Sequence, residues 1–372
     1  MWEGFSCLSS SHVLCVLAGF AVGVLAPRRW PQIRFARQTP TDWGIGKRND
    51  RLYSLDHGKL NLELPPRSMW MNMGYWRDTD DFPTACQALL VEVLKKAGLL
   101  DDTADSPAPK LRPSLKSLSI LDLGFGCGDQ TAFLVQLARV PLKYVGINLN
   151  YRQYRFAQNR LGPKNQASKS DVQIFCEDAA QIESWPTDLR KAVASLPDKE
   201  QNSNNSHGQN ETWVLALDSF YHFHPSRKPI VSLAAQDLKA SVMAFDMLLS
   251  DSAAWYQRWI LKLVAWMGEC PINTFMTRDQ YSAMLAEAGY DRSHIEFYEV
   301  TEDVFEPLAR YMDKRGDELE DMGMMLGSLN IARLVFDWWA RSRVLEAVIV
   351  VARRSSEQSE RRGCADWRNG RS

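Results

Sequence analysis

The feature that most constrains the fold is a glycine-rich turn between an apolar run and a helical pattern. Residues 118–121 are Leu-Ser-Ile-Leu, and residues 122–128 continue as Asp-Leu-Gly-Phe-Gly-Cys-Gly. Glycine lets the backbone turn sharply and lets a ligand approach the main chain without a Cβ clash. A strand, a tight turn and a helix in this order favour an open α/β sheet, which binds ligands beyond the carboxyl ends of its strands.

Short apolar runs alternate with helical patterns along most of the chain. We predict strands at residues 118–123, 144–148, 172–176, 213–218, 241–249, 295–300 and 345–352. A further helix is predicted to begin near Pro83, where apolar residues recur every four positions. Strands that alternate with helices predict an α/β fold with a parallel, doubly wound sheet and helices on both faces.

The first 27 residues predict a membrane anchor. No charged residue lies between Gly4 and Pro27, and a stretch of this length can span a bilayer. A cleaved signal peptide is the alternative, but Glu3 is the only charged residue before the stretch. Arginines follow at positions 28, 29, 34 and 37, so the positive-inside rule predicts a single-pass protein whose C-terminal side faces the cytosol, at the endoplasmic reticulum or a mitochondrial membrane.

The remaining chain divides into three further parts. A juxtamembrane segment over residues 28–66 precedes one domain over residues 67–353, and a charged, disordered tail covers residues 354–372. Within the domain, residues 187–211 contain a polar tract that has too few apolar side chains to bury a core, which predicts a disordered insertion. Residues 303–343 are predicted to be helical.

Charge and cysteine usage exclude several kinds of partner. The chain has 44 basic and 45 acidic residues, whereas a nucleic-acid-binding protein needs a basic face. Its seven cysteines include no Cys-x-x-Cys pair, so they predict neither a disulfide framework nor a zinc site. We therefore expect no nucleic-acid partner and no metal.

The glycine-rich turn resembles motif I of the class I S-adenosylmethionine-dependent methyltransferases. This resemblance implies a Rossmann-like, seven-stranded sheet and a cofactor site that includes Asp122, Gly124, Gly126 and Gly128. A nicotinamide dehydrogenase is the alternative, but its fingerprint is GxGxxG with an acid at the end of the second strand. The chain has GxGxG, and Asn148 ends its second predicted strand.

Residues 146–153 resemble the corresponding stretch of sterol C-methyltransferases and cyclopropane-fatty-acid synthases. The resemblance implies that Asn148 and Gln153 contact S-adenosylmethionine. It also implies that Asp178, followed by Ala179 after the third strand, accepts a hydrogen bond from the adenine amino group. The Gly-Tyr-Trp sequence that contains Tyr75 is similar to an entry segment of the same subgroup, whose tyrosine covers the carboxylate end of the cofactor.

The fourth predicted strand ends in a candidate acceptor site that contains Asp218, Tyr221 and His222. The pattern resembles the ESxxH sequence of tocopherol-type methyltransferases and the FEHF sequence of cyclopropane synthases. Tyr221 replaces the glutamate of the synthases, which disfavours cyclopropanation. Related O-methyltransferases have an aspartate at the position of Asp246, so the resemblance implies that His222 is a base that Asp246 orients. A lone histidine is otherwise more often structural.

The sequence therefore predicts methyl transfer to a lipophilic small molecule, with O-methylation favoured over C-methylation. Apolar residues near helical spacing after the fifth strand, together with residues 303–343, are expected to cover the acceptor, although most are expected to be core: Trp255, Trp259, Leu263, Trp266 and Met267. Two alternatives remain, namely a catalytically degenerate cofactor-binding scaffold and a methyltransferase that acts on protein or nucleic acid.

Overall fold

Seven strands in the described part of the chain form one sheet. The computed structural model describes residues 63–101, 109–162, 170–197, 209–267, 274–327 and 329–354, all within the unit Asp56–Ser372. The strands are β1 (Leu115–Leu123), β2 (Leu142–Ile147), β3 (Ser170–Phe175), β4 (Gln209–Leu217), β5 (Ser241–Leu249), β6 (Ile295–Glu299) and β7 (Leu345–Ala352). Each overlaps a predicted strand, so the seven predictions are confirmed.

The strand order is β3-β2-β1-β4-β5-β7-β6. Strands β1 to β5 pair in parallel, whereas β7 lies between β5 and β6 and runs antiparallel to both. The expectation of an entirely parallel sheet is therefore wrong at β7. An apolar run predicts that a strand is buried, but it carries no information about the direction in which that strand enters the sheet.

Helices cover both faces of the sheet, as predicted. They are α1 (Phe82–Lys96), α2 (Asp129–Leu137), α3 (Tyr151–Arg160), α4 (Thr187–Ala194), α5 (Lys228–Gln236), α6 (Trp255–Met267), α7 (Arg278–Ala288), α8 (Phe305–Asp321) and α9 (Leu329–Ser342). Successive residues of β4 point to opposite faces, so Trp213 and Leu215 pack with α1, α8 and α9, while Val214 and Ala216 pack with α4, α5 and α7. The sheet thus separates two hydrophobic cores.

Helix α1 shows how the local sequence sets an element. Asp81 caps its first turn by accepting a hydrogen bond from the Thr84 N–H at 3.1 Å, and Pro83 occupies the first turn, where no intrahelical N–H is needed. Its apolar stripe is fully buried against the sheet: Ala85, Leu89, Leu90, Val93 and Leu94. The predicted start near Pro83 is confirmed.

Two predicted segments have different outcomes. The expected disordered insertion at residues 187–211 is wrong at both ends, because Thr187–Ala194 forms α4 and residues 209–211 begin β4. Leu189 of α4 is completely buried, so three apolar positions suffice to fix a short helix beside a polar tract. The prediction of helices within residues 303–343 is confirmed by α8 and α9.

The predicted anchor at residues 1–27, residues 28–62 of the juxtamembrane segment and residues 355–372 of the tail lie outside the described residues. Within the described ranges, no helix has both the length and the apolar character needed to cross a membrane.

Candidate cofactor and acceptor site

A cavity of about 360 Å³ lies beyond the carboxyl ends of the parallel strands. The chain leaves β1 towards β2 on one side and leaves β4 towards β5 on the other, so a crevice opens between the two central strands. Residues that follow β1, β2, β3 and β4 line this cavity, and residues 69–72, here called the wall segment, close one side. The structure therefore brings most of the predicted site residues into one place.

The glycine-rich turn contributes two glycines to the cavity. Gly124 and Gly126 line it with φ angles of 96° and 62°, in the region where a side chain is disfavoured. Gly128 has a different role, because it caps the start of α2 and an added Cβ would lie 3.0 Å from the Cβ of Ala157 on α3. Gly128 is not among the residues that line the cavity, so its predicted cofactor contact stays a prediction, whereas its packing against α3 is observed.

Asp122 lies beneath the turn instead of in the cavity. Its carboxylate is fully buried and accepts hydrogen bonds from the Tyr144 hydroxyl at 2.5 Å and from the Gln130 amide at 2.7 and 2.8 Å. Burial raises the pKa of Asp122 to about 6, although both hydrogen bonds oppose the rise. Asp122 is not among the residues that line the cavity. The expected direct contact is thus replaced by a network that holds β1, β2 and α2 together.

Asn148 and Gln153 line the cavity together, as the sequence predicted. The Asn148 side chain accepts a hydrogen bond from the Gly126 N–H at 3.2 Å and donates one to the Gln153 Oε1 at 3.0 Å. Asn150 caps α3 by accepting from the N–H groups of its first turn, which fixes where Gln153 lies. One amide thereby ties the glycine-rich turn to the second strand and to α3.

Asp178 and Ala179 also line the cavity. The Ala180 N–H donates to Asp178 Oδ1 at 2.8 Å, and the Trp185 indole donates to the Asp178 carbonyl at 2.9 Å. These two hydrogen bonds orient the loop after β3, so its carboxylate stands at the carboxyl edge of the sheet.

Tyr75 does not line the cavity. It is buried against α1, where its N–H donates to the Ala85 carbonyl, and burial raises the pKa of its hydroxyl to about 12. The wall segment just before it takes the expected place over the turn. The predicted contact of Tyr75 with the cofactor stays a prediction, and the chain turns directly before it at Gly74, where φ is 77°.

Two carboxylates fasten the wall segment at its ends. The Met69 N–H donates to both oxygens of Asp129, at 3.2 and 3.3 Å, and Arg160 donates to the same carboxylate at 2.7 Å. At the other end the Met73 N–H donates to Asp218 at 2.9 Å. Sequence reasoning missed Asp129, although its position directly after the glycine-rich turn was an available signal.

The acceptor side of the cavity contains Asp218, Tyr221 and His222. The Tyr221 hydroxyl donates to Asp218 at 2.8 Å, and the Tyr221 and His222 ring centroids are 4.2 Å apart. Burial raises the pKa of Asp218 to about 7, although hydrogen bonds from Tyr221 and Met73 oppose the rise. His222 is exposed within the concave cavity, and partial desolvation by the cavity walls lowers the pKa of its imidazole.

Asp246 lies elsewhere, which corrects its predicted pairing with His222. Its carboxylate is fully buried and forms an ion pair with Arg227, which is 1% exposed and also donates to the Thr274 carbonyl at 2.5 Å. The guanidinium stands 5.2 Å from the ring centroid of Tyr281. Asp246 therefore serves a buried network below the site, and it is not one of the residues that line the cavity.

The cavity has an acidic lining. Three carboxylates face it, from Asp129, Asp178 and Asp218, and no lysine or arginine is among the described residues that line it. Asp129 is paired with Arg160, which does not itself line the cavity. A pyrophosphate, as in a dinucleotide, would therefore meet no basic side chain in the lining, whereas the carboxylates of Asp178 and Asp218 suit a cationic ligand better. In the described ranges no group of three or more His, Cys, Asp or Glu side chains is arranged to hold a metal.

Structural comparison decides the fold. The cyclopropane synthase CmaA1 with bound SAH and CTAB matches with a TM-score of 0.52 at 12% identity, over 80% of this chain and 94% of that chain. The chain has the class I methyltransferase fold. The cyclopropane synthase MmaA2 of Mycobacterium tuberculosis matches this fold with a TM-score of 0.50 at 11% identity, over 76% of this chain and 90% of that chain.

A third structure extends the methyltransferase fold comparison to another substrate class. Phosphoethanolamine N-methyltransferase 2 of Haemonchus contortus, in complex with S-adenosyl-L-methionine, matches with a TM-score of 0.50 at 13% identity, over 73% of this chain and 53% of that chain. No protein-family model and no curated protein matches the chain. The comparisons thus establish the fold, and the chemistry has to be argued from the site.

Proposed function

We propose that the chain transfers a methyl group from S-adenosylmethionine to a lipophilic small molecule, with an oxygen as the favoured acceptor atom. The observation that carries this proposal is the acidic cavity at the glycine-rich turn of a class I methyltransferase fold. S-adenosylmethionine is a sulfonium cation with an ammonium group, so carboxylates suit it where a pyrophosphate would be repelled.

The residues present fit this cofactor. Gly126 leaves the space that a Cβ would fill, because the atom nearest to an added Cβ is the Met71 sulfur at 3.8 Å, so a ligand can approach the main chain there. Gly124 instead permits the close packing of the turn on Ser219, since an added Cβ would lie 2.9 Å from the Ser219 Cβ. Asn148 and Gln153 offer amide groups that both donate and accept, which suits ribose hydroxyls, and Asp178 offers an acceptor for an adenine amino group. Bound S-adenosylmethionine would supply an electrophilic methyl group on sulfur.

His222 is the proposed base. A hydroxyl acceptor must lose its proton as its oxygen is methylated, and a neutral imidazole can take that proton. Desolvation keeps His222 neutral at physiological pH by lowering its pKa. Tyr221, held by its hydrogen bond to Asp218, presents its ring beside the imidazole and limits where the acceptor can lie.

The lipophilic acceptor is supported by the rim of the cavity. Leu149 is 71% exposed and Met71 is 55% exposed, and both line the cavity. Apolar side chains in water at a cavity mouth mark a surface that an apolar ligand would cover. We further propose that the N-terminal segment keeps the chain on a membrane, with this domain on the cytosolic side. Lipophilic acceptors are concentrated in the membrane.

Two measurements test the function separately. In calorimetry, the full chain is expected to bind S-adenosylmethionine but not NAD, and NAD binding would contradict the cofactor assignment. Incubation of lipid extracts with methyl-labelled cofactor is then expected to produce a labelled lipid of increased mass. The His222→Ala variant is the control, because it should bind the cofactor without forming the product. Cofactor binding by wild type without any methylated product would favour the scaffold alternative.

A further inference from the structure

Helix α6 presents an apolar face to solvent. Trp255 is 75% exposed, Trp259 66%, Tyr256 52% and Leu263 38%, whereas Leu261 on the opposite side is buried. Residues at these positions share one arc of a helix because a turn takes 3.6 residues. The sequence predicted Trp255, Trp259 and Leu263 within a set of residues that are mostly core. The structure instead exposes these three side chains on the outside of the domain.

The charged residues of α6 are all basic. The helix contains Arg258 and Lys262 and no acidic residue, and Lys262 lies on the exposed side, where its ammonium is 5.2 Å from the ring centroid of Trp259. Tryptophan and tyrosine are enriched where a bilayer meets water, since their rings are apolar and their tips are polar. Nearby basic side chains are attracted to anionic headgroups.

The position of α6 relates it to the cavity. The helix follows the carboxyl end of β5, where the Ser250 N–H donates to the Val344 carbonyl at 3.0 Å, and Gln257 donates to the Ser342 carbonyl at 3.2 Å. The cavity opens at the same carboxyl edge of the sheet, and its apolar rim residue Leu149 is exposed there. An apolar ligand dissolved in a bilayer would thus meet both features on one edge.

We propose that the outer face of α6, formed by Trp255, Tyr256, Trp259, Lys262 and Leu263, docks on the surface of an anionic lipid bilayer. The charge of the helix and the aromatic composition of the face favour lipid over a second copy of the chain, which would bring equal positive charges together. The uncharged stretch between Gly4 and Pro27 gives the chain an independent reason to be at a membrane. This docking surface goes beyond methyl transfer and needs no catalysis.

Brominated lipids test the proposal because they quench only tryptophans that enter the bilayer. The full chain is bound to vesicles of brominated phosphatidylcholine with phosphatidylserine. The wild type and the variant contain the same N-terminal segment, so a difference in quenching between them reports on α6. Wild type is expected to lose fluorescence, and the Trp255→Gln/Trp259→Gln variant is expected to lose a clearly smaller share. A matched Leu329→Gln/Ile331→Gln variant, altered at exposed apolar positions of α9, should behave as wild type.

A charge variant supplies the second readout. Lys262→Glu is expected to weaken binding to phosphatidylserine vesicles roughly fivefold and to leave binding to pure phosphatidylcholine vesicles nearly unchanged. Equal quenching in wild type and in Trp255→Gln/Trp259→Gln would overturn the proposal. So would sedimentation that shows a wild-type dimer and a monomeric double variant, because the face would then join two copies. Neither readout depends on methyl transfer, so the docking surface and the proposed function fail independently.

Discussion

At the scale of single residues, His222 and Asp218 both line the cavity, and their pKa values are shifted in opposite directions. Burial raises the pKa of the Asp218 carboxyl to about 7, and desolvation lowers that of the His222 imidazole. Both shifts have the same origin, because a low-dielectric environment disfavours the charged form of either group. Near neutral pH one cavity can therefore contain both a neutral base and a carboxyl group that is partly protonated.

The base assignment predicts a specific loss of turnover. His222→Ala should reduce the rate of methyl transfer by about 10²–10⁴-fold and leave the dissociation constant of the cofactor nearly unchanged. A base must be unprotonated, so wild-type activity should fall as the pH drops through the pKa of His222, which lies below its usual value of about 6.5. Steady-state rates across pH and calorimetry of the variant check both statements.

Asp218→Asn is the matched control for that pH profile. Asp218 also titrates near neutrality, and its φ of 61° is one that asparagine tolerates. The fall of activity at low pH, here called the acidic limb of the profile, should therefore persist in Asp218→Asn and disappear in His222→Ala. Flat activity in this pH range, together with Tyr221→Leu more damaging than either Tyr221→Phe or His222→Ala, would instead favour methylation at carbon, where the aromatic face stabilises a cation.

For Asp246 we expect a loss of stability without a change in the pH dependence of activity. Since Asp246 pairs with the buried Arg227, Asp246→Asn should lower the free energy of unfolding by roughly 3 kcal/mol, because a buried guanidinium loses its counter-charge. Urea unfolding measures this loss. The acidic limb of the activity profile should stay where it is in the wild type. A variant of unchanged stability whose limb has moved would restore the pairing of Asp246 with His222.

At the scale of elements, different glycines of the turn between β1 and α2 line the cavity and pack against a helix. Gly126 lines the cavity, and the nearest atom to an added Cβ is the Met71 sulfur at 3.8 Å. Gly128 faces α3, where an added Cβ would lie 3.0 Å from Ala157. Two glycines of one motif thus serve different neighbours, and the repeat itself does not distinguish them.

A pair of alanine variants tests this division. Gly128→Ala should lower the free energy of unfolding by roughly 1–3 kcal/mol, since it combines a strained φ with a steric clash. Gly126→Ala should cost less stability but weaken cofactor binding by on the order of tenfold, about 1.4 kcal/mol. Thermal unfolding and calorimetry measure the two effects. The assignment fails if Gly126→Ala binds the cofactor as wild type does and Gly128→Ala does not.

The wall segment is the second element that shapes the site. Asp129 accepts hydrogen bonds from the Met69 N–H at the start of the wall segment, and Asp218 accepts one from the Met73 N–H directly after its end. Two carboxylates thus fix a loop that has no regular secondary structure of its own. These hydrogen bonds join residues 60 and 145 positions apart in the chain. No local pattern predicts such contacts.

At the scale of the whole molecule, we propose that the N-terminal segment determines the compartment in which the site works. We expect the full chain to stay with membranes during carbonate extraction, because its uncharged stretch is long enough to span a bilayer. Protease protection should place the domain on the cytosolic side. The chain has Asn-x-Ser/Thr glycosylation sequences at Asn204 and Asn210, which would be modified only on the luminal side of a membrane. Glycans on either residue, or release of the chain by carbonate, would contradict this topology.

The sequence by itself determined the seven strands, the glycine-rich turn and the grouping of Asn148, Gln153 and Asp178 at one edge. The strands follow from local periodicity. The grouping of the three side chains follows from the resemblance to methyltransferases and from the rule that ligands bind beyond the carboxyl ends of parallel strands. The same resemblance marks His222 and Tyr221, which follow β4.

Only the tertiary structure decided which way each of the other side chains faces. The direction of β7, the burial of Asp122 with Tyr144 and the pairing of Asp246 with Arg227 each depend on partners that are distant in sequence. The exposed tryptophans of α6 belong to the same class, since helical spacing shows that residues share a face but not what that face meets. Burial and charge pairing are properties of the packed molecule, so they decide which acids bind a ligand and which hold the fold together.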